Sequence, residues 1–573
     1  MAQEASLPPD HPVLPSTDRR TAASRLTNAL SGAPVAAGAV PRKNFIDGHI
    51  FGQMERDGVP HAPLATDAEF FRRLHLDFTG RIGEDAALRA FVADTDPLKR
   101  DKLIDRLANS PAFRAKWTYW FGDLSKTAAN RVGGEGKNLY YRWIYDNLQV
   151  NRPYNEIVRD LLTPNAVSNW YVGPASYLAR WVVVGVKCEE TVHEDTSDEL
   201  AINSVKHFLG INLECISCHD GAHHLEKINK DLAARKRSDV WQMAAFFGKT
   251  RILRRVELQT TQDEYSIDEE GPGYDASART VVRMPRRGKG IVEPAFLLTG
   301  EKPDPAKNLR AEYARMLTSH PQFARATVNM FWADLMGVGI VDPVHDFDLA
   351  RSDQATHPEL LDALAADFRT NNHSLRHLLT TIAKSSAYQL SSRFPGEWKD
   401  AYAKYYARKF VRRLKAEEIH DSITAATRQY SLVPIRGTQT VAKFATETRT
   451  PEDYKSVPSL KDVNFFLESF GQTNREFSER TNEGDITQAV LLMNSPFILK
   501  QAKAAPGSYL AELLEAKQPL EANIRSLFAR FLQREPTPAE LATSKDLIQS
   551  NPQKGYEDLQ WLLLNKVEFL FNY

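Results

Sequence analysis

The chain has 573 residues, of which 42% are apolar, 25% charged and 10% aromatic, and its 73 Lys and Arg balance 73 Asp and Glu to a formal net charge of zero. This composition excludes wholesale disorder, which needs low hydrophobicity and high net charge, and gives enough chain for several domains with a large core. It argues against a nucleic-acid partner, because no cationic excess is available to neutralise phosphates. A local basic run, RKFVRRLK at Arg408–Lys415, does not change that. Three cysteines exclude a disulfide scaffold. No apolar stretch reaches the roughly 18 residues of a transmembrane helix. The start, MAQEASLPPDHP, lacks a basic n-region and an apolar h-region, which leaves a cytosolic protein or the mature form of an exported one.

In chain order, residues 1–43 read as an extended lead-in rich in Pro, Ala and Ser, with Asn44–Gln53 as the first docked helix. AEFFRRLHLDFTG places apolar residues at helical spacing and stops at Gly80. Three short helices follow over residues 85–126, then Asn138–Val150 and Tyr154–Leu162, split by the turn NRPY. Residues 250–300 change character: RILRRVELQ, EYSI and RTVVRMP alternate β-branched residues between Asp, Gly and Pro clusters and predict strands. Helices are predicted again over Leu309–Thr318, Phe323–Leu335, Pro358–Thr370 and Ser374–Lys384, then Leu414–Gln429 and Thr487–Gln501, with loop over residues 431–463. The expected fold is mostly α: multi-helix domains with a small β-rich insertion near residues 250–300. The expected division is a lead-in at 1–43, an N-terminal helical domain at 44–249, the insertion, and a C-terminal helical domain at 301–573.

The most informative segment is HFLGINLECISCHDGAHHLEKIN, which contains Cys215-Ile-Ser-Cys218-His219. C-x-x-C-H is the attachment signature of c-type haem. Two thiols on one short turn can reach two vinyl groups on one porphyrin edge, and the next residue, His219, offers an imidazole nitrogen as proximal iron ligand. Random placement of three Cys and fifteen His produces this pattern in roughly 3 of 10,000 such chains, so chance is a poor explanation. The rival cofactor is zinc, held by Cys215, Cys218 and one or two of His219, His223 and His224; against it, these ligands crowd into ten residues. Two buried free thiols or a redox dithiol are the remaining readings.

A second axial ligand has to come from beyond the proximal turn. His223 and His224 follow too closely, since five residues span at most about 17 Å, and they suit the haem edge or a propionate better. Met243, His207 and His193 are the candidates, with plain core packing as the alternative for Met243 and His207. Cys188 stands alone beside an acidic stretch, Glu189 to Glu199, readable as a solvated loop or as a docking surface for a basic redox partner. Asp342, His345, Asp346 and Asp348, with His357 and Glu359, form a second cluster, suited to cation binding or acid–base work, or to turns and caps between helices. Arg72, Arg73, Asp77, Arg412, Arg413, Glu417 and Glu418 look like ion pairs that staple helices. Arg475 and Arg480 could reach a propionate or an anionic sugar, and Trp117, Trp120, Trp143, Trp181 and Trp241 are read as core around the cofactor, or as a carbohydrate platform.

Several blocks in order resemble one known family: FFRRLHLDFTGRI, KLIDRLANSPAF, NRPY and FLGINLECISCHDGAHHLE, then FARATVNMFWADLMGVGIVDPVHDF, THPELLDALAADF, RRLKAEEIHDSI and ITQAVLLMNSPF. They are similar to the pair of adjoining domains of unknown function associated with planctomycete-type cytochrome c. The resemblance implies an exported, periplasmic or cell-surface protein whose signal peptide is absent from this chain. It carries Cys215, Cys218 and His219 over as the C-x-x-C-H segment, places His224 at a family position, and makes His223 a departure. It also associates the chain with sulfatase-like or polysaccharide-processing proteins. The expectation that follows is a haem c protein passing electrons to a redox partner. The alternatives are a haem-dependent oxidoreductase acting on a glycan or small molecule, and a zinc-binding or metal-free scaffold.

Overall fold

The computed structural model describes residues 19–36, 38–185, 191–257, 262–476, 486–552 and 554–573. Helix covers 54% of the protein in 25 α-helices among the described residues, and strand only 5%, in small sheets. No helix among the described residues is long and apolar enough to cross a membrane. The fold is mostly α, as the periodicity predicts.

Local signals account for several helix boundaries. Thr66 and Glu69 form a reciprocal capping box that starts the helix Asp67–Thr79, and Gly80, at φ +72°, ends it. Ser110 caps Pro111–Leu124 with proline in the first turn, where no N–H partner is needed. Tyr154–Leu162 and Pro358–Thr370 fall where the pattern places them. The lead-in holds one further helix, Arg19–Leu30. The single helix expected over Thr487–Gln501 is two, Ile486–Asn494 and Pro496–Gln501. Pro496 lacks the N–H that would continue the first, and Ser495 caps the second by accepting from the Ile498 N–H.

The β element is narrower than residues 250–300. Arg251–Glu257 pairs antiparallel with Gln262–Asp268, Arg251 opposite Asp268, and Ile267 bridges to Ala166. RTVVRMP is not a strand. Its backbone and arginines are drawn elsewhere: the Val281 N–H donates to Asp195 Oδ2 at 2.7 Å, Arg283 pairs with Glu199, and Arg286 reaches Asp195 and Asp198 at 2.5 and 2.6 Å. The alternation of Val and Arg in that segment reflects ion pairing to a helix, not a sheet face. Asp195 and Asp198 are buried as a result. They are therefore internal partners of arginine, neither a solvated loop nor a docking surface, and Glu199, partly exposed, pairs with Arg283. Cys188, Glu189 and Glu190 lie outside the described residues.

Two apolar cores form. The larger draws on residues from Ile46 to Phe410, together with Ala529; the smaller runs from Leu414 to Phe569 and takes in Leu76 and Ile82. The helix Asp67–Thr79 serves both, giving Phe70, Phe71, Leu74 and Phe78 to the first and Leu76 to the second. Its polar residues face the junction. Arg72 donates to the Phe569 carbonyl at 2.9 Å and to the Phe531 carbonyl at 3.3 Å. Arg73 donates to the carbonyls of Tyr388 and Tyr573, both at 2.7 Å. Asp77 accepts from Tyr388 Oη, Arg412 Nη2 and Asn572 Nδ2 at 2.8, 2.9 and 2.8 Å. Of the charged side chains read as ion pairs, Arg72 and Arg73 instead hold carbonyls of distant segments, while Arg412 pairs with Asp77 across 335 positions and with Glu418 at 2.7 Å six residues on.

Candidate functional site

The helix His193–Leu209 ends at Gly210, at φ +67°, and the chain then dips inward through Ile211 and Leu213, both fully buried. A 3₁₀ turn follows at Cys215–Ser217. Ile216 is fully buried and anchors the turn, while Cys215 and Cys218, on either side, are free thiols at intermediate exposure. The Cys218 N–H donates to the Cys215 carbonyl at 3.2 Å, and the His219 N–H to the same oxygen at 3.4 Å. Both thiols and the imidazole therefore leave one tight loop of backbone.

Two arginines clamp that loop. Arg237 Nε donates to the Ser217 carbonyl at 2.9 Å, its N–H to Asp220 Oδ1 at 2.8 Å, and its guanidinium lies 5.4 Å over the Trp241 ring. Arg283 Nη1 donates to Ser217 Oγ at 2.8 Å. His219 is exposed, and its Nδ1 lies 2.7 Å from the Asp220 carbonyl. That contact fits a ring carrying its proton on Nδ1 and presenting the Nε2 lone pair outward. The His224 ring stands 4.6 Å from that of His219. His223 is exposed at φ +67°, its N–H donating to Glu226 Oε1 at 2.5 Å.

Gly221 closes the loop. Its N–H donates to the Arg235 carbonyl at 2.9 Å, and a Cβ there would sit 1.8 Å from the Leu232 carbonyl oxygen. Backbone on both sides leaves nothing flexible to yield. Gly221→Ala is expected to lower the unfolding free energy by about 1–3 kcal/mol, the usual cost of overpacking, read as a fall in the urea midpoint at constant slope.

The second cluster is wrapped around the first. His345 Nδ1 lies 3.1 Å from the Lys206 carbonyl, the Phe347 N–H donates to the Gly210 carbonyl at 2.9 Å, and Asn229 Nδ2 donates to the Phe347 carbonyl at 3.1 Å. Asp346 is hydrogen-bonded by Asn212. Asp348 accepts the Lys230 and Asp231 N–H groups at 2.8 and 3.0 Å, a helix cap. His357 is buried against Thr356 at the start of Pro358–Thr370, and Glu359 is exposed. Burial, with Glu214, Cys218 and Asp346 nearby, pushes the Cys215 thiol up. That holds it as a thiol rather than the thiolate that attacks disulfides.

The sequence candidates for a second axial ligand have partners inside the protein. Met243 is fully buried and its sulfur accepts from the Leu297 N–H at 3.0 Å. His207 Nδ1 lies 3.2 Å from Tyr177 Oη, and His193 Nε2 lies 2.7 Å from the Gly248 carbonyl. Burial, reinforced by His345, holds His207 well below the ordinary imidazole range. Burial and Lys206 bring His345 down to about 4. Below pH 6.5 the unfolded chain takes up a proton that native His345 refuses, so stability falls as pH drops from 6.5 towards 4. The stability difference between the protein and His345→Gln is therefore expected to shift by about 3 kcal/mol between pH 7 and 4, in favour of the variant at low pH, in paired urea titrations.

Arg475 is buried and clamps Asp123 at 2.6 Å and the Arg449 and Tyr119 carbonyls at 3.0 and 3.1 Å, and Arg480 lies outside the described residues. Trp117 and Trp120 pack on Phe331, at 5.3 and 4.8 Å, and Trp181 packs on His207 at 5.7 Å. Arg237, Arg283 and Ser217 escaped the sequence reading as site residues. Only Ser217, inside the motif, carried a local signal; the arginines act across 20 and 66 positions. Among the described residues, no three His, Cys, Asp or Glu side chains gather as a group able to hold a metal ion.

The family PSCyt2, a protein of unknown function (DUF1549), matches residues 45–252, and PSD1, a protein of unknown function (DUF1553), matches residues 309–548. No curated protein and no solved structure matches the chain. PSCyt2 takes in the whole cysteine turn, and PSD1 takes in the loop of His345 to Asp348 that wraps it. The chain is thus built from the planctomycete cytochrome-c-associated pair of domains of unknown function, PSCyt2 followed by PSD1.

Proposed function

We propose that Cys215, Cys218 and His219 form a covalent haem c attachment site and that the protein acts outside the cytoplasm in electron transfer with a redox partner. The observation that carries this reading is the state of the donors. Two free, partly exposed thiols flank one clamped turn, and the adjoining imidazole has Nδ1 committed to the Asp220 carbonyl. This donor set fits the group: the thiols would carry the thioethers and His219 Nε2 would face the iron. Haem bound there would supply a one-electron couple. The chain's own part is to orient. Arg237 and Arg283 fix the turn through Ser217, Asp220 fixes the imidazole, and His224 stands beside His219 at the open side. An exposed His219 suits electron exchange at a surface better than chemistry in a sealed pocket.

The test is the visible spectrum and intact mass of protein matured through an export pathway with cytochrome c maturation. A pyridine haemochrome of the two-thioether type, with a mass gain of one haem, is expected. Colourless protein at apo mass from a strain that matures a control cytochrome would end the proposal. A low-spin spectrum unmoved by cyanide or carbon monoxide supports electron transfer, and a high-spin, ligand-responsive one supports the oxidoreductase reading.

A further inference from the structure

A cleft of about 750 Å³ opens where the helices Pro111–Leu124 and Gly134–Gln149 meet the turn Gly437–Thr440. None of its lining residues belongs to the cysteine turn. Its size is that of a small-molecule site, yet its aliphatic lining is confined to Pro111, Ala112, Ala115 and Leu139. The remainder is aromatic or polar. Tyr141 and Tyr145 lie one helical turn apart with rings at 6.2 Å and 18°, and Trp170 adds a third ring.

Three polar atoms in the lining are buried and lack hydrogen-bond partners: Asn138 Oδ1, Arg449 Nε and Arg81 Nη1. Asn138 is only 7% exposed, and its Nδ2 donates to the Arg436 carbonyl at 2.8 Å, which fixes the amide so that Oδ1 is the orphan. Arg449 lies 3.9 Å over the Tyr141 ring, and Arg81 stands 3.7 Å from Glu447, beyond hydrogen-bond reach. Buried polar groups left unpaired are costly, and each needs a partner. One acceptor and two donors beside aromatic faces suit hydroxyl groups, which donate and accept, on a ring that stacks. Three arginines, Arg81, Arg142 and Arg449, against two carboxylates, Glu135 and Glu447, leave the lining cationic. Gly437 lets the turn come down on this wall. It sits at φ +81°, and a Cβ there would meet Glu135 Oε1 at 2.3 Å.

We propose that this cleft binds an acidic oligosaccharide, its sugar rings against Tyr145 and Trp170, its hydroxyls on Asn138 and Arg449, and its carboxylate on Arg81 and Arg142. The proposal stands apart from the haem reading, because it uses other residues. The test is calorimetric titration of the full chain with trigalacturonate, trimannuronate and a hyaluronan hexasaccharide, with maltotriose as neutral control. At least one acidic probe is expected to bind, at least tenfold tighter than maltotriose, and to weaken at least tenfold in Tyr145→Ala and in Arg142→Ala. The Arg142 side chain is 79% exposed, so its loss leaves folding intact even should Tyr145→Ala not fold. Silence from all three acidic probes at millimolar concentration overturns the proposal. So does equal binding of maltotriose, or binding that survives Arg142→Ala.

Discussion

Replacing both Cys215 and Cys218 by alanine is expected to abolish all haem that survives denaturing electrophoresis, from protein matured in an exporting, haem-attaching strain. The expected effect is complete because the thioether is a covalent bond and the described structure offers no other pair of thiols on one turn. Either single replacement should leave one thioether and an altered haemochrome band. His219→Ala tests a different link. Attachment is expected to persist there, with loss of the proposed proximal imidazole read as a high-spin spectrum. Arg283→Ala separates positioning from ligation: it removes one of the hydrogen bonds on Ser217 Oγ, which keeps the Glu214 carbonyl at 2.5 Å, and touches no proposed ligating atom, so attachment should slow while the final spectrum stays unchanged. Haem that withstands denaturation in the double cysteine variant would refute the assignment outright.

Asp77→Ala should destabilise the protein by about 3–5 kcal/mol, the range for stripping one partner from a buried ionic group. Asp77 is fully buried. Burial alone would raise its carboxyl, and Lys409, Arg412 and Lys116 together hold it below the ordinary range. Without it those cations face one another. Arg412 keeps Glu418 at 2.7 Å, but Lys409 loses its counter-charge. Burial already pushes Lys409 down to about 7 against the opposing pull of Asp77. Removing Asp77 lowers it further, so below pH 7 the native variant refuses a proton that the native wild type binds. The deficit must therefore widen as pH falls from 8 to 6. Urea titrations across that interval read both the size and the slope. A loss under about 1 kcal/mol, typical of an exposed pair, would remove Asp77 from the centre of the junction.

The two substitutions mark what a linear reading could and could not reach. The turn carrying Cys215, Cys218 and His219 was legible because its residues fall within five consecutive positions. The helices were legible wherever caps were local, as at Thr66 with Glu69 or Ser110 with Pro111. Asp77, by contrast, sits among apolar residues at helical spacing, and its partners Tyr388, Arg412 and Asn572 lie 311, 335 and 495 positions away. Nothing in the pattern of residues 67–79 says that three of its charged side chains point inward. RTVVRMP misled for a related reason. Alternation was present, but the ion pairs of Arg283 and Arg286 with the helix His193–Leu209 set the conformation. The cleft beside Tyr141 was invisible because Arg81, Asn138 and Arg449 come from three separate stretches of chain.

Arg72 illustrates a cost of that long reach. The Phe569 carbonyl it holds lies 497 residues downstream. At a synthesis rate of about 5–20 residues per second, the helix Asp67–Thr79 waits roughly 25–100 s for that acceptor to leave the ribosome. Once Phe410 has been made most of the larger core can close, with Arg73 and Asp77 already reaching Tyr388 but Arg72 still without its acceptors at Phe531 and Phe569. Apolar surface left open beside an unpaired cation is what chaperones recognise, so newborn copies of this protein are expected to depend on them until the segment at Phe569 arrives.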